Sequence, residues 1–292
     1  MDLRHPPAEV QVDVELARHL LESARAHLDL EHADLSRSEI VLVDEGWDNF
    51  TFRVGRDHAL RLPRREVAVQ LLLNELRWLP EVAGWLHLSV PEPVAAGAPT
   101  SRFPWPWSVV RWIPGRTLEG CLLPPAEAGS LAKALRSLHR PAPPEAPYNP
   151  FRGVPLEARR AAVEGRLARL KLDELVPLWR LAIEEAPADA SVWLHGDLHP
   201  RNVLLDSGRL VGIIDWGDMT AGDASTDLAC AWMLFDRVGR AAFRQAYEPT
   251  EGEWIRAAGW AINFGSAMLD SGEPAHASMG RAILEQLVHG VR

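Results

Sequence analysis

The chain has 292 residues, of which 47% are hydrophobic and 24% charged, a globular composition that excludes a disordered chain. Its net charge is −9 and it has no long run of lysine or arginine, so we expect no nucleic-acid partner. The two cysteines, Cys121 and Cys230, lie outside any Cys/His cluster, which argues against a disulfide framework and a zinc site. We find no signal peptide and no apolar stretch of membrane-spanning length, and we therefore expect no membrane partner and a cytoplasmic location.

The N-terminal part of the sequence predicts a small antiparallel sheet accompanied by helices. Apolar residues at near-helical spacing predict a helix over residues 12–28 and another over residues 67–79. Short apolar runs bounded by turn residues predict five strands. These strands cover residues 40–43, 50–54, 59–62, 94–97 and 108–113.

The pattern changes after Pro114-Gly115, where the apolar residues take a helical period. We place a domain boundary near Gly115, which divides the chain into residues 1–115 and 116–292. A proline-rich loop is predicted over residues 141–155 and a short strand over residues 192–194. The predicted helices include Leu131, Leu135 and Leu138 in one, and then cover residues 163–170, 175–185, 227–235, 253–269 and 276–288.

The most informative stretch runs from His195 to Asn202 and is followed by Ile213 to Asp218. Two apolar strands joined by the turn Asp206-Ser207-Gly208 separate these motifs and predict a hairpin. Because the two ends of a hairpin lie close together, we expect Asp197, Asn202 and Asp215 to meet.

Two carboxylates and one amide at one point match the needs of phosphoryl transfer. The acceptor hydroxyl must be oriented, and Mg²⁺ neutralises the triphosphate charge through oxygen ligands. A lone Asp or Asn beside glycine is usually a turn residue, but the spacing of the whole set favours catalysis. His195 is either a base or, as we favour, a buried residue bonded to the backbone.

These motifs resemble those of the aminoglycoside phosphotransferase family, close to its bacterial aminoglycoside and macrolide kinases. The resemblance extends over nearly the whole chain. It includes residues 45–49, 59–63, 74–80, 105–108, 112–115 and 222–229. It implies an α+β, protein-kinase-like fold with two lobes. A small antiparallel-sheet lobe, residues 1–115, would bind the nucleotide, and a larger, mainly helical lobe, residues 116–292, would carry catalysis and substrate binding.

The resemblance also implies roles for individual residues. Asp197 would be the catalytic base, while Asn202 and Asp215 would hold Mg²⁺. The cofactor-binding residues would be Gly46 and Asp48 in a turn, Arg61 and Glu75 as a phosphate-binding pair, and Arg111 to Ile113 as a hinge that meets the base of the nucleotide. Val110, just before the hinge, is of modest size, so we expect the pocket to admit ATP and leave GTP open as a second donor. Asp227 would brace the catalytic loop from a helix start, where a simple N-cap is the alternative.

Three departures from the family pattern leave alternatives open. Arg61 stands where the family commonly has lysine, and an exposed strand residue is its other interpretation. Gly46 stands alone, without a glycine-rich motif, so it is either part of a nucleotide loop or an ordinary hairpin turn. We expect Asp218 to face solvent or substrate rather than a metal ion.

The sequence thus predicts a small-molecule kinase that transfers the γ-phosphate of ATP or GTP to a hydroxyl of an aminoglycoside- or macrolide-type antibiotic. A metabolic kinase acting on a sugar or amino alcohol, and a degenerate nucleotide-binding protein without turnover, are the alternatives. Trp254 and Trp260 are predicted to be buried rather than to wall an acceptor pocket. The acids of the last helices are predicted to form a solvated face rather than a polyamine site.

Overall fold

The computed structural model describes residues 6–24, 35–188 and 190–290. Its first helix, α1 (Val14–Ala24), has an amphipathic pattern that buries Leu16, Leu20 and Leu21 in the core of the N-terminal sheet. The helix predicted over residues 12–28 is therefore confirmed from Val14 to Ala24. The end of that prediction lies outside the described residues.

The N-terminal sheet has five antiparallel strands in the order β1-β2-β3-β5-β4. Their bounds are β1 (Ile40–Glu45), β2 (Asn49–Val54), β3 (His58–Pro63), β4 (Pro93–Gly97) and β5 (Trp107–Arg111). Leu60 pairs with Phe52 on one side and Val109 on the other, and all three side chains are buried in one core. Strand alternation places Arg61 on the opposite face from Leu60 and Leu62. The five predicted strands are confirmed, except that the fifth ends at Arg111 rather than residue 113.

Helix α2 (Val69–Ala83) connects β3 to β4 and packs against this sheet. Its buried residues Leu72, Leu79 and Val82 follow the helical period that the sequence shows. Glu75 shares this buried face, and a buried carboxylate requires a partner. The helix therefore holds Glu75 against the sheet, on the side where Arg61 lies.

The C-terminal part is mainly helical around one large core, which contains Trp179, Trp193, Trp216 and Trp260. The helix α9 is central, because α4, α5, α6 and α10 all pack against it. The helices are α3 (Ala128–Leu138), α4 (Arg160–Leu170), α5 (Val176–Glu184), α6 (Ser225–Leu228), α7 (Cys230–Leu234), α8 (Arg237–Tyr247), α9 (Glu251–Leu269) and α10 (Pro274–Gly290).

One predicted helix is corrected here, and one further helix was not predicted. The single helix predicted over residues 227–235 forms two short helices, α6 and α7, which meet at Ala229. Helix α8 was not predicted, although Asp236 accepts a hydrogen bond from the Gly239 N–H and so forms an N-cap that the sequence could have revealed.

Short strands flank the two predicted catalytic motifs within the helical part. Strand β7 (Val192–Leu194) pairs with β10 (Thr220–Gly222), and the hairpin β8 (Val203–Asp206) and β9 (Arg209–Ile213) pairs with β6 (Arg116–Thr117). Ser89 joins the N-terminal part to this hairpin, since its N–H donates to Val211 O and its carbonyl accepts from Ile213 N–H. The antiparallel pairing of β8 with β9 confirms the predicted hairpin.

The architecture, an antiparallel sheet followed by a helical part, confirms the predicted α+β class. The domain boundary near Gly115 stays a prediction. Within the described ranges, no helix combines the length and apolar character needed to cross a membrane.

Candidate active site

A cleft of about 680 Å³ lies between the sheet and the helical part. One end is lined by Ala59, Val110 and Ile113, and we call it the Val110 end. The other end we call the Arg152 end. It is lined by Glu119, Arg152, Asp197, His199, Arg201, Asp218, Ala267, Met268, Ser271 and His276. Each residue for which the sequence predicts a catalytic, metal or nucleotide role lines the cleft, except Glu75, which is buried behind Arg61.

The loop predicted to be catalytic, residues 195–202, follows β7 and is fixed by Asp227 from the start of α6. The two carboxylate oxygens of Asp227 accept hydrogen bonds of 2.8 Å from the backbone N–H groups of His195 and Gly196. Asp227 Oδ2 also lies 3.2 Å from His139 Nε2. The buried Asp227 carboxylate therefore braces the loop through two backbone hydrogen bonds, as the sequence predicted, and also contacts His139.

His195 is fully buried, and both ring nitrogens are engaged by the backbone. Nε2 lies 3.0 Å from Ile214 O, and the Asp197 N–H lies 3.2 Å from Nδ1. Because a carbonyl only accepts and an N–H only donates, Nε2 carries the proton and Nδ1 accepts. His195 thus joins the catalytic loop to the segment before Asp215, which agrees with the structural role that the sequence favours.

Gly196 allows the loop to turn toward Asp218. Its φ of +85° is unfavourable for residues with a side chain, and a Cβ there would lie 2.5 Å from Asp218 O. The glycine between His195 and Asp197 is therefore required for the close packing of the two motifs.

Asp197 projects into the cleft between the side chains of Arg152 and His199. Arg152 Nη2 donates to its Oδ1 at 3.1 Å, and His199 Nε2 lies 3.3 Å from its Oδ2. Burial raises the pKa of Asp197, but His199 and then Arg152 outweigh this effect and hold the pKa below its usual range. The carboxylate is therefore ionised at neutral pH and positioned to accept a hydrogen bond from a ligand.

Asn202 and Asp215 supply oxygens suited to Mg²⁺. The Asn202 amide nitrogen donates to Asp197 O at 2.9 Å, which leaves Oδ1 as the oxygen available for a cation. Ile214 N–H donates to Asn202 O at 2.9 Å, so the two motifs are joined directly before Asp215. Asp215 has φ +62° and a side chain that is 58% exposed in the cleft. One amide and one carboxylate oxygen, completed by phosphate and water, fit magnesium.

Arg61 extends from β3 into the cleft and contacts two carboxylates. Its Nη1 donates to Glu75 Oε2, and its Nη2 lies 3.6 Å from Asp215 Oδ1. Burial lowers the pKa of Arg61, but Glu75 and then Asp215 outweigh burial, so the pKa is raised and the guanidinium stays charged. The exposed-strand alternative for Arg61 is wrong, because the residue is buried.

The turn between β1 and β2 contains Gly46 and Asp48, and both line the cleft. Gly46 N–H donates to Asn49 O at 3.0 Å, which closes an ordinary hairpin turn. Asp48 pairs with Arg65 at 2.9 Å, and burial and then the charge of Asp215 raise the pKa of Asp48. The turn therefore approaches the Asp215 side of the cleft.

The segment after β5 forms the wall of the Val110 end. Trp112 N–H donates to Asp57 O at 2.8 Å and Arg111 N–H donates to Glu92 O at 2.9 Å. These bonds fix the backbone on both sides of Arg111, while Val110 and Ile113 are buried against the cleft. Two apolar side chains held by a hydrogen-bonded backbone thus line this wall, a surface suited to a flat aromatic ring.

Arg152 is a cleft residue that the sequence analysis did not identify. Its Nη2 contacts Asp218 Oδ2 at 3.4 Å as well as Asp197, and its guanidinium lies over the Phe264 ring at 4.9 Å. Asn149 Nδ2 donates to Asp218 Oδ1 at 2.8 Å. Burial raises the pKa of Asp218, with the charge of Asp197 adding to the effect and Arg152 opposing it. Asp218 thus faces the Arg152 end of the cleft, and its role toward substrate or solvent stays a prediction.

The loop that carries Arg152 is held along β10. Asn149 N–H donates to Thr220 Oγ1 at 3.1 Å and Asp223 N–H donates to Gly153 O at 3.1 Å. Gly222 permits this approach, because a Cβ there would lie 2.3 Å from Gly153 O. No local pattern in the proline-rich loop signals Arg152, since its partners lie 45 and 66 residues further along the chain.

Two other predictions concern residues outside the cleft. Trp260 is fully buried and Trp254 packs on Trp232, so neither walls the cleft, as predicted. The acids of the last helices are engaged at the surface by partners of their own. They pair as Glu248 with Arg136, Glu251 with Arg244, Asp270 with Arg169 and Glu273 with His276, while Glu253 completes a capping box with Thr250.

Comparison with known proteins agrees with this geometry. The chain is 27% identical over 198 residues to viomycin phosphotransferase of Streptomyces vinaceus, covering 60% of this chain and 67% of the relative. It is 30% identical over 156 residues to aminoglycoside 3'-phosphotransferase of Streptomyces ribosidificus, covering 49% of this chain and 58% of the relative.

Two solved structures show the same two-lobed fold. The GDP complex of wild-type aminoglycoside 2'-phosphotransferase-IIIa has a TM-score of 0.68 at 18% identity, covering 96% of this chain and 100% of its own. Macrolide 2'-phosphotransferase from Brachybacterium faecium has a TM-score of 0.59 at 23% identity, covering 91% and 97%. The model of the phosphotransferase enzyme family matches residues 39–261. The chain belongs to the phosphotransferase enzyme family.

Proposed function

We propose that this protein transfers the γ-phosphate of ATP or GTP to a hydroxyl group of a small molecule, with Asp197 as the catalytic base. The observation that carries the proposal is the convergence of Asp197, Asn202 and Asp215 at one cleft. The hydrogen bonds from Asn202 to Asp197 O and from Ile214 to Asn202 O link the three residues.

In this proposal Asp197 orients the acceptor hydroxyl and finally accepts its proton. A carboxylate whose pKa is held low is a weak base, so most of its contribution is orientation of the attacking oxygen. The acceptor oxygen forms a bond to the γ-phosphorus as the bond to the β-phosphate bridging oxygen breaks, and the nucleoside diphosphate leaves. A loose transition state of this kind needs little base strength.

Asn202 Oδ1 and Asp215 would hold magnesium, which supplies charge neutralisation at the phosphate oxygens when bound. Arg61, fixed by Glu75, would donate to the triphosphate in a fork. The Val110 end would receive the base between Ala59 and Ile113, and the Gly46–Asp48 turn would cover the phosphates. Related solved structures are complexes with GDP and with ATP, which supports a nucleotide as the donor.

An antibiotic of the aminoglycoside or macrolide type is the leading acceptor, because the names of the relatives include both classes. A metabolic kinase acting on a sugar or amino alcohol is the second candidate, since the fold does not fix the acceptor. The intact set of Asp197, Asn202 and Asp215 argues against a nucleotide-binding protein without turnover.

The test is a screen for transfer of labelled γ-phosphate from ATP and from GTP, against aminoglycosides, macrolides and small metabolites. We expect an acceptor-dependent labelled product with the wild type and none with Asp197→Ala. Nucleotide binding without labelled product from any acceptor would contradict the proposal and favour the protein without turnover.

A further inference from the structure

The carboxylates at the Arg152 end of the cleft are already engaged by arginines. Among the described residues that line this end, the acids are Glu119, Asp197 and Asp218. Arg152 bridges Asp197 and Asp218, and Arg201 Nε lies 3.2 Å from Glu119 Oε1. An acceptor with several ammonium groups would therefore find no carboxylate here that is not already paired.

Two further arginines, Arg159 and Arg166, lie beside this end of the cleft. Arg159 precedes α4, and its guanidinium lies over the Phe151 ring at 5.3 Å. Arg166 bonds to the neutral Asn263 Oδ1 at 2.7 Å and to Ser266 Oγ at 3.0 Å. Burial and then Arg152 lower the pKa of Arg159, and burial and then Arg159 lower the pKa of Arg166 to about 10. The charge of Arg152 thus acts on Arg159 and that of Arg159 on Arg166, while the charge of Asp270 opposes the lowering of the Arg166 pKa.

Replacing Arg152 by an incoming amine in its ion pairs would cost free energy. Both of its ion pairs use Nη2, its Nε is buried without a hydrogen-bond partner, and its guanidinium rests on Phe264. If ammonium groups paired with Asp197 and Asp218 in place of Arg152, the half-buried guanidinium of Arg152 would lose its counter-charges. The neighbouring wall, Ala267 and Met268, is apolar and offers contact area to an uncharged ligand.

We propose that Arg152 sets the acceptor preference of this kinase: the site takes hydroxylated acceptors with a large uncharged framework and at most one amine, and it rejects polycations. This rests on the proposed function and narrows it. Within the two antibiotic classes, the chemistry of the site fits a macrolide and not an aminoglycoside. The ion pair between Arg152 and Asp197 persists when the macrolide binds, and the acceptor hydroxyl approaches the Asp197 carboxylate.

Equilibrium binding tests the preference independently of turnover. Dissociation constants are measured by calorimetry for kanamycin, a polycation, and erythromycin, a macrolide with one amine, using the wild type, Arg152→Met and Arg152→Lys. We expect the wild type to bind erythromycin at least about tenfold more tightly than kanamycin. Arg152→Met, which keeps the length over Phe264 but removes the charge, should tighten kanamycin binding by about tenfold. Arg152→Lys should keep the wild-type preference.

Arg160→Met is the matched control, because Arg160 is an exposed arginine of α4 that pairs with Glu157 and Glu164 away from the cleft. It should leave the ratio of the two constants unchanged. Tight, salt-sensitive binding of kanamycin by the wild type, absence of erythromycin binding, or an unchanged ratio in Arg152→Met would overturn the inference. If Arg152→Met does not fold, the wild-type ratio still tests the preference itself, and the ratio in Arg152→Lys tests whether the positive charge at this position maintains it. Failure of phosphate transfer in the labelled screen would reject the kinase proposal separately.

Discussion

Arg61 of the N-terminal sheet and Asp215 of the catalytic hairpin face each other in the cleft, with 3.6 Å between Arg61 Nη2 and Asp215 Oδ1. The same guanidinium donates to Glu75 from Nη1. Arg61 therefore joins α2 to the Asp215 side of the cleft. Since both carboxylates act on one cation, the three residues should behave as one unit toward a triphosphate.

The coupling of Arg61 and Glu75 is testable by a double-mutant cycle. Arg61→Ala and Glu75→Ala should each raise the nucleotide KM and lower kcat, and the double variant should be less than additive, because each single change already breaks the pair. Arg61→Lys keeps the charge but loses the fork, so it should be impaired but active. Steady-state kinetics on the four variants and the wild type measure this. Independent, fully additive effects would show that the pair does not act in nucleotide binding.

Asp197→Ala should lower kcat by about 10²–10⁴-fold, the usual contribution of a positioned base. Nucleotide affinity should stay close to wild type, because Asp197 faces the acceptor and its side chain makes no contact with Arg61 or the Val110 end. Single-turnover kinetics and nucleotide calorimetry measure the two effects separately. A kcat close to the wild-type value would remove Asp197 from the catalytic role.

Asp215→Ala should abolish Mg²⁺-dependent nucleotide binding together with activity, because the metal would lose its carboxylate ligand. Asp206→Ala is the matched control, since Asp206 is an exposed carboxylate in the turn of the same hairpin. Calorimetry with and without Mg²⁺ should show a loss for the first variant and none for the second. Wild-type binding of the Mg-nucleotide by Asp215→Ala would exclude Asp215 as a ligand.

Asp227→Ala should destabilise the fold by about 2–4 kcal/mol, because two buried backbone N–H groups of the catalytic loop lose their acceptor. Asp236→Ala removes a carboxylate that caps α8 at the surface and should cost only about 1 kcal/mol. Urea unfolding compares the two variants. Activity should fall in Asp227→Ala under conditions where the protein is folded, and it should persist in Asp236→Ala. Equal losses of stability would contradict the bracing role.

Val110 is expected to leave room for either purine base. It is buried and lines its end of the cleft, and it is smaller than an aromatic or a methionine side chain. ATP and GTP should therefore compete for one site, while Val110→Phe should weaken the binding of both by filling the wall. Competition binding with the two nucleotides measures this. Transfer supported by GTP together with no detectable binding of ATP would refute it.

Much of the fold and the centre of the site could be predicted because their signals are local. The alternation around Arg61 predicts that Leu60 and Leu62 enter the core and that Arg61 faces the cleft, as the structure has it. The hairpin turn at Asp206-Ser207-Gly208 predicts that Asn202 and Asp215 meet. In both cases the contacts depend on strand alternation or a tight turn, which a few neighbouring residues determine.

The surroundings of Asp197 were decided by the tertiary structure. Arg152 arrives from a proline-rich loop, held along β10 by close contact of Gly153 with Gly222, and Phe264 arrives from α9. His139 reaches Asp227 from the end of α3. These residues come together only when the helices pack around the large core, so no periodicity or spacing reveals them. The sequence by itself therefore determined that Asp197, Asn202 and Asp215 meet, whereas packing over long sequence separations decided the charge of the Arg152 end of the cleft.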